Sequence, residues 1–260
     1  MNSTEGSTLQ TVEALLQKIE AAITGRQQLR DFTRAVTLAQ EATTAFPTDP
    51  RGWAQLVLAL CLTDAYNAAL RAQEDAVTAC GEQWTSLHNG DCERDLFFYC
   101  VRHKLVNYAL EHLDRARRDH QGDPNRLAAL WMAEGRLWYA FRQYQAALMC
   151  FNRARILWER LAREDSEAPN RQWQFNCDRW HLCAMVAVHG RSYRPAQILW
   201  RSLRERKQYG SPDIWARLTL VMRYGRLGAA ADRLLESPSG QNLLSRPPLR
   251  QIAQHYLTKR

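Results

Sequence analysis

Glycine and proline are scarce in this chain, at 12 and 9 of its 260 residues. That scarcity excludes a collagen-like or loop-dominated polypeptide. With so many Ala, Leu, Arg and Gln residues beside so few breakers, the summed backbone preference is helical along nearly the whole length. Lysine is scarcer still: Lys18, Lys104, Lys207 and Lys259 leave 31 of the 35 basic residues as arginine. The planar guanidinium fork suits carboxylates, phosphates and aromatic faces. No run of about 18 apolar residues exists, so the sequence offers no membrane-spanning helix. The start, MNSTEGSTLQ, lacks the basic and then apolar order of an export signal, and a cytoplasmic protein is expected. Seven cysteines, an odd number strung singly from Cys61 to Cys183, make no disulfide framework and suit a reducing compartment.

Signatures of chemistry are missing as well. The sequence has no glycine-rich phosphate loop, no GxSxG elbow, no HExxH and no CxxC pair. The nearest approach to a metal site is Cys177, His181, Cys183 and His189. On one helix Cys177 and His181 share a face, Cys183 turns away and His189 lies two turns on, so four ligands do not converge. Cys100 and His103 form a helical pair with no third partner. The expectation is a protein with no turnover of its own, no cofactor and no metal.

What is present is a recurring pattern. From Trp131 the chain shows Gly135, Trp138, Tyr144, Ala147, Phe151 and Ala154. The same frame gives Val57, Leu60, Tyr66, Ala69 and Ala76 after Trp53. It gives Ala184, Ala187, Tyr193, Ala196, Trp200 and Leu203 after Trp180, and Thr219, Met222, Ala231 and Leu235 after Trp215. A weaker copy puts Glu93 in the tryptophan slot, ahead of Leu96, Phe97, Val106, Ala109, Leu113 and Ala116. A degenerate first copy runs from Ile19 through Phe32, Ala35 and Ala42 to Pro47. An alanine sixteen residues past the anchor recurs in all six: Ala35, Ala69, Ala109, Ala147, Ala196 and Ala231. Large residues on one helix facing small ones on the next allow two helices to cross closely. Nearly all of the tryptophans, at helical spacing, are expected to be core residues.

Anchors at 19, 53, 93, 131, 180 and 215 are unevenly spaced. The longest step is predicted to be absorbed by an extended helix through Leu157 and Leu161 and by a loop, EDSEAPN. CGEQWTSLHNGDCE is predicted to do the same between the second and third copies. Thr63 and Asp64, and Gly190 with Ser192, are placed as turn and N-cap residues before second helices, with Pro195 in a first helical turn.

This pattern resembles the tetratricopeptide repeat family, whose period is about 34 residues. The resemblance implies an all-α, right-handed superhelical solenoid of about six helix-turn-helix repeats. The repeats span roughly 9–49, 50–83, 90–123, 128–165, 177–208 and 212–240, after a disordered start over 1–8. An amphipathic helix over 247–258, following Pro247 and Pro248, would cap the last hairpin.

In this family the first helix of each pair lines an inner wall. Carried over position by position, that wall receives Arg94, Phe98 and Arg102, then Met132, Arg136 and Tyr139. The fifth and sixth copies add His181, Met185 and His189, with Arg223 and Tyr224. The set is basic and aromatic, suited to an acidic protein or peptide segment held by arginine forks. Each arginine taken alone also fits a merely solvated face. The implied function is a non-catalytic protein-interaction scaffold: an adaptor, chaperone or assembly factor. Charge leaves an alternative open, because residues 1–100 carry a net −6 and residues 101–260 a net +14. Nucleic acid could be gripped by that basic half, above all by RSLRERK at 201–207 with Arg191 and Arg194. The rarity of lysine and the lack of a base-reading pair repeated from copy to copy weigh against it.

Overall fold

In the computed structural model the described residues are 3–24, 31–164 and 168–236, with side chains described from residue 12 onward and outside 168–170 and 234–236. They contain twelve α-helices and no strand. Two compact units, Met1–Gly122 and Asp123–Arg260, divide the chain. Unit 1 holds α1 (Ser3–Thr24), α2 (Phe32–Ala45), α3 (Pro50–Leu62), α4 (Tyr66–Cys80), α5 (Ser86–Arg102) and α6 (Val106–Asp119). Unit 2 holds α7 (Pro124–Ala140), α8 (Tyr144–Glu164), α9 (Ala168–His189), α10 (Arg194–Glu205), α11 (Pro212–Tyr224) and α12 (Arg226–Glu236).

Helices that are neighbours in sequence pack as antiparallel hairpins: α1 with α2, α3 with α4, α5 with α6, α7 with α8, α9 with α10 and α11 with α12. Within unit 1, α2 also packs on α3 and α3 on α5. Within unit 2, α8 packs on α9, and α9 meets α11 and α12. The all-α helical-repeat class read from the sequence is therefore the class observed.

The starts of three hairpins are written locally. Asp49, Asp123 and Ser211 accept hydrogen bonds from backbone N–H groups of the first turns of α3, α7 and α11, and each is followed by proline. A capping oxygen then a proline satisfies one orphan donor and removes another, which fixes the helix start. Asp31 caps α2 in the same way, accepting from the Arg34 N–H at 2.9 Å, but three other second helices begin differently. Ala65, Leu105 and Tyr193 occupy the N-cap positions of α4, α6 and α10 and make no side-chain cap bond. Thr63, placed by the sequence as a cap, closes α3 instead, its hydroxyl donating to the Ala59 carbonyl at 3.1 Å. Pro195 does sit in the first turn of α10.

The turns of three hairpins are the same turn. Asp64, Lys104 and Arg142 stand at φ of 62°, 61° and 64°, each eleven residues after its anchor. The N–H of the next residue reaches back across the turn: Ala65 to the Leu60 carbonyl (2.9 Å), Leu105 to Cys100 (2.8 Å) and Gln143 to Trp138 (2.9 Å). This is the six-to-one bond of a Schellman closure, usually built on glycine because a Cβ is unfavourable in the left-handed region.

Packing follows the frame in five copies of six. Ala35, Ala69, Ala109, Ala147 and Ala196 are fully buried. Opposite Ala147, in the same hairpin, a methyl group on Gly135 would come within 2.5 Å of the Phe151 ring. The third copy exchanges these sizes, with Phe97 and Leu113 buried at the two corresponding positions. The sixth copy departs. Its second helix starts two residues earlier in the frame, directly after Gly225 at φ 59°. Ala231 is consequently only half-buried and Ala229 takes the closed position. There a Cβ on Gly228 would lie 2.2 Å from the Leu220 carbonyl oxygen, so α11 and α12 cross backbone to backbone.

Several expected boundaries shift. Helix α1 begins at Ser3 rather than residue 9, because no proline interrupts 3–8. The long step in the fourth copy is taken up by α8 reaching Glu164 and by α9 starting at Ala168, so the EDSEAPN loop is shorter and α9 longer than the frame implies. The extra first turns of α9 are used: Gln172 donates to the Tyr209 carbonyl at 2.9 Å, and Trp173 stacks on Trp158. The proposed capping helix at 247–258 lies outside the described residues.

Candidate functional site

Three of the eleven wall residues belong to α5 in unit 1. Arg94 is half-buried between Asp91 (2.9 Å) and Asp95 (3.1 Å), so its charge is already answered within its own helix. Phe98 stands exposed with its ring edge against Phe97. Arg102 is exposed, lies 6.0 Å from the Tyr99 ring and donates to the Cys61 carbonyl.

The other eight lie in unit 2, and the structure separates them. Met132, Tyr139, His181 and Met185, which the sequence puts on an open wall, are buried. The cause at Tyr139 is α12, which packs across α7 and α9. The Tyr139 hydroxyl donates to the Ala229 carbonyl at 3.0 Å and lies 3.3 Å from Asp232 Oδ2. Asp232 is itself 2.6 Å from Arg217, a buried pair on the α11–α12 hairpin. Arg136, His189, Arg223 and Tyr224 remain exposed. Arg136 lies over Trp180 at 5.3 Å, Arg223 over Tyr224 at 5.6 Å, and the His189 ring lies tilted against Tyr193 at 4.3 Å.

His181 and Met185 belong to a different feature, which sequence reasoning missed. Both α8 and α10 pack on α9, and between them an open cleft of about 600 Å³ is floored by α9. Its lining includes Arg155 and Glu159 from α8, Asp178, His181 and Met185 from α9, and Pro195, Ile198, Leu199, Ser202 and Arg206 from the α10 side. Arg155 pairs with Glu159, and Arg206 with Asp178 at 2.7 Å. On the floor, Asp178 Oδ1 and His181 Nδ1 are buried with no hydrogen-bond partner. Such orphaned groups cost about 1–3 kcal/mol each. Burial pushes the His181 imidazole down to about 4, with the Arg155 charge adding to it, so the ring is neutral near pH 7. Burial also raises the Asp178 carboxyl, against the pull of Arg206. The sequence signal for this cleft was Ile198, an exposed apolar residue on the amphipathic helix α10.

A second feature is a buried relay in unit 1. His112 Nδ1 lies 2.6 Å from Glu93 Oε2, and its Nε2 lies 2.7 Å from the Tyr66 hydroxyl. Gln73 donates to the other Glu93 oxygen at 3.2 Å. The arrangement has the form of a catalytic triad without the reactivity, because burial raises the Tyr66 hydroxyl above its ordinary range and holds it protonated. Glu93 in a tryptophan slot was its sequence signal: a buried carboxylate demands partners. The thiols are equally quiet. All seven cysteines are free and buried. Burial raises Cys61 to about 12 and Cys92, Cys177 and Cys183 well above their ordinary value. Cys177 donates to the Phe151 carbonyl. Among the described residues no group of three or more His, Cys, Asp or Glu is placed to hold a metal ion, and no helix is long and apolar enough to cross a membrane.

No protein-family model matches the chain, and no curated protein matches it in sequence. Among solved structures it is similar to PilF of Pseudomonas aeruginosa, with a TM-score of 0.57 at 16% identity, over 98% of this chain and 100% of that one. At that identity the likeness is one of fold. PilF contains tetratricopeptide repeats, and the all-helical architecture here fits a family of that kind.

Proposed function

We propose that the chain is a non-catalytic protein-interaction scaffold, an adaptor, chaperone or assembly factor, that holds an acidic segment of a protein partner. The observation that carries this reading is the state of the exposed arginines in unit 2. Arg136 and Arg223 are seated on aromatic faces, which fixes the guanidinium before any partner arrives and lowers the entropy lost on pairing with a carboxylate. His189 on Tyr193 is held in the same way. In unit 1, Phe98 and Arg102 supply an apolar and a cationic contact of the same kind. The buried members Met132 and Tyr139 support the helices that carry these groups. Seven reduced, buried thiols and the absence of a membrane-spanning helix among the described residues are compatible with work in the cytoplasm, and the reading assigns it there.

The test is affinity capture with the full chain, in the native cell extract, with retained proteins identified by mass spectrometry. Arg136→Glu and Arg223→Glu should each release an acidic partner while leaving the helical signal unchanged, since exposed substitutions shift stability by only about 0.5 kcal/mol. Retention should also fall as salt rises. Binding to random RNA of equal strength, lost on changing 201–207 and untouched by Arg136→Glu, would favour a nucleic-acid function instead.

A further inference from the structure

One stripe of α9 floors the cleft between α8 and α10. Gln174, Asp178, His181 and Met185 all line it, and steps of four, three and four residues put them on one helical face. The walls are graded along that stripe. Antiparallel pairing of α9 with α10, fixed by the Arg206 to Asp178 contact at 2.7 Å, sets Pro195, Ile198 and Leu199 toward the Met185 end and Ser202 and Arg206 toward the Asp178 end. Ile198 is 57% exposed. The α8 side adds Arg155 and Glu159, whose charges act on Asp178. The cleft therefore has an apolar end and a polar end, and at about 600 Å³ it lies within the size range of small-molecule sites.

The charges at the polar end are answered within the protein, Arg155 by Glu159 and Arg206 by Asp178. Two cations and two carboxylates cancel, so the site selects an uncharged ligand. An added ion would give up its hydration and meet as much repulsion as attraction. Hydrogen-bonding capacity, by contrast, is left over. Arg155 Nε, Asp178 Oδ1 and His181 Nδ1 are buried without a partner, and Asp178 is only 4% exposed. The half-buried Gln174 amide makes no hydrogen bond to a described residue. Gln174 offers a donor and an acceptor side by side. Asp178, one turn further on the same face, offers a second acceptor. A primary carboxamide is the complement of that set: its carbonyl and one N–H pair reciprocally with the Gln174 amide, and its second N–H is left for Asp178 Oδ1.

We propose that the α8–α9–α10 cleft of unit 2 binds a small uncharged amphiphile, a primary carboxamide with an aliphatic tail. The amide head sits on Gln174 and Asp178, the latter turning its unbonded oxygen toward the cleft while Arg206 keeps the other. The tail crosses His181 and ends against Met185, Ile198 and Leu199. Asp178 and Met185 are seven residues apart, about 10 Å along α9, a span that the extended chain of octanamide matches. The site uses none of the arginines assigned to the acidic partner, so its test is independent of the scaffold reading.

The experiment is isothermal titration of the full chain with octanamide. A Kd of about 0.1–1 mM is expected for a ligand of this size. Three relatives of the probe test its chemistry. Octanoate and octylammonium keep the tail and carry a charge, and N,N-dimethyloctanamide keeps the carbonyl and loses both donors. Each should bind at least about tenfold more weakly than octanamide. Gln174→Leu removes the amide that pairs with the head, and Ile198→Asp puts a charge at the apolar end. Each should weaken octanamide by about tenfold or more. Gln174 is half-buried without a hydrogen bond and Ile198 is exposed, so melting temperatures close to the wild-type value will show that both variants fold. Absence of saturable binding up to the solubility of octanamide overturns the proposal. Binding of any of the three relatives as tight as that of octanamide overturns the carboxamide head. Indifference to Gln174→Leu or to Ile198→Asp overturns the placement in this cleft.

Discussion

Tyr139 on α7 donates its phenolic hydrogen to the backbone carbonyl of Ala229 on α12, ninety residues further along the chain, at 3.0 Å. The same oxygen lies 3.3 Å from Asp232, so one hydroxyl fastens α12 onto α7 in unit 2. Tyr139→Phe keeps the ring and removes this bond. It should lower the stability of unit 2 by about 1–2 kcal/mol, the cost of a buried donor lost opposite a charged acceptor. The measurement is a denaturant titration read by helical circular dichroism, in which the midpoint falls and the slope stays constant. An unchanged midpoint would mean that α12 does not sit on α7 in solution.

The left-handed turn residues give a prediction of the opposite sign. Arg142 at φ 64° and Lys104 at φ 61° are non-glycine residues in the glycine region. Arg142→Gly should stabilise the protein by roughly 1 kcal/mol, because the steric penalty on Cβ exceeds the added entropy of the unfolded chain. Lys104→Gly should do the same in unit 1. A rise of a few degrees in melting temperature for each, additive in the double variant, is the expected result. A fall would show that the side chains contribute more than the turn geometry costs.

The buried imidazole on the cleft floor predicts an acid limb. Burial holds His181 down at about 4 in the folded protein, below its ordinary value of 6.5. The unfolded chain therefore binds a proton more readily across that interval, and stability must fall as pH drops from 6.5 through about 4. The contribution is on the order of 3 kcal/mol when complete. Melting temperature followed from pH 7 to pH 4 should decline, and His181→Gln should flatten that part of the curve. If the two profiles run parallel, His181 is not the titrating group.

What the sequence revealed depended on whether a residue acts within one hairpin. The Gly135 and Phe151 contact, the closed alanines and the cap-proline starts at Asp49, Asp123 and Ser211 are all decided within one hairpin. Periodicity and capping chemistry report on such features directly. The placement of α12 was illegible for the opposite reason. Starting after Gly225, it enters two residues early, and that shift turns a different face of the helix to α11 and carries the hairpin over Tyr139. A frame drawn from regular copies puts Tyr139 in solvent and Ala231 at the crossing, and both placements fail together. His181 and Met185 were assigned to the wrong side of α9 because eight consecutive residues, 180–187, are buried. A run of buried residues longer than two turns shows no amphipathic stripe from which to read an orientation.

The seven thiols also make the protein its own recorder of opening. Each is unreactive while enclosed, and each becomes an ordinary cysteine once its neighbourhood opens. Cys61, Cys80, Cys92 and Cys100 belong to unit 1, while Cys150, Cys177 and Cys183 belong to unit 2. A thiol reagent applied to the native protein, with the modified sites located by mass, therefore times the breathing of each half separately within one unmodified chain. A bound partner that closes one half would leave its signature as a set of cysteines that fall silent while the other set continues to react.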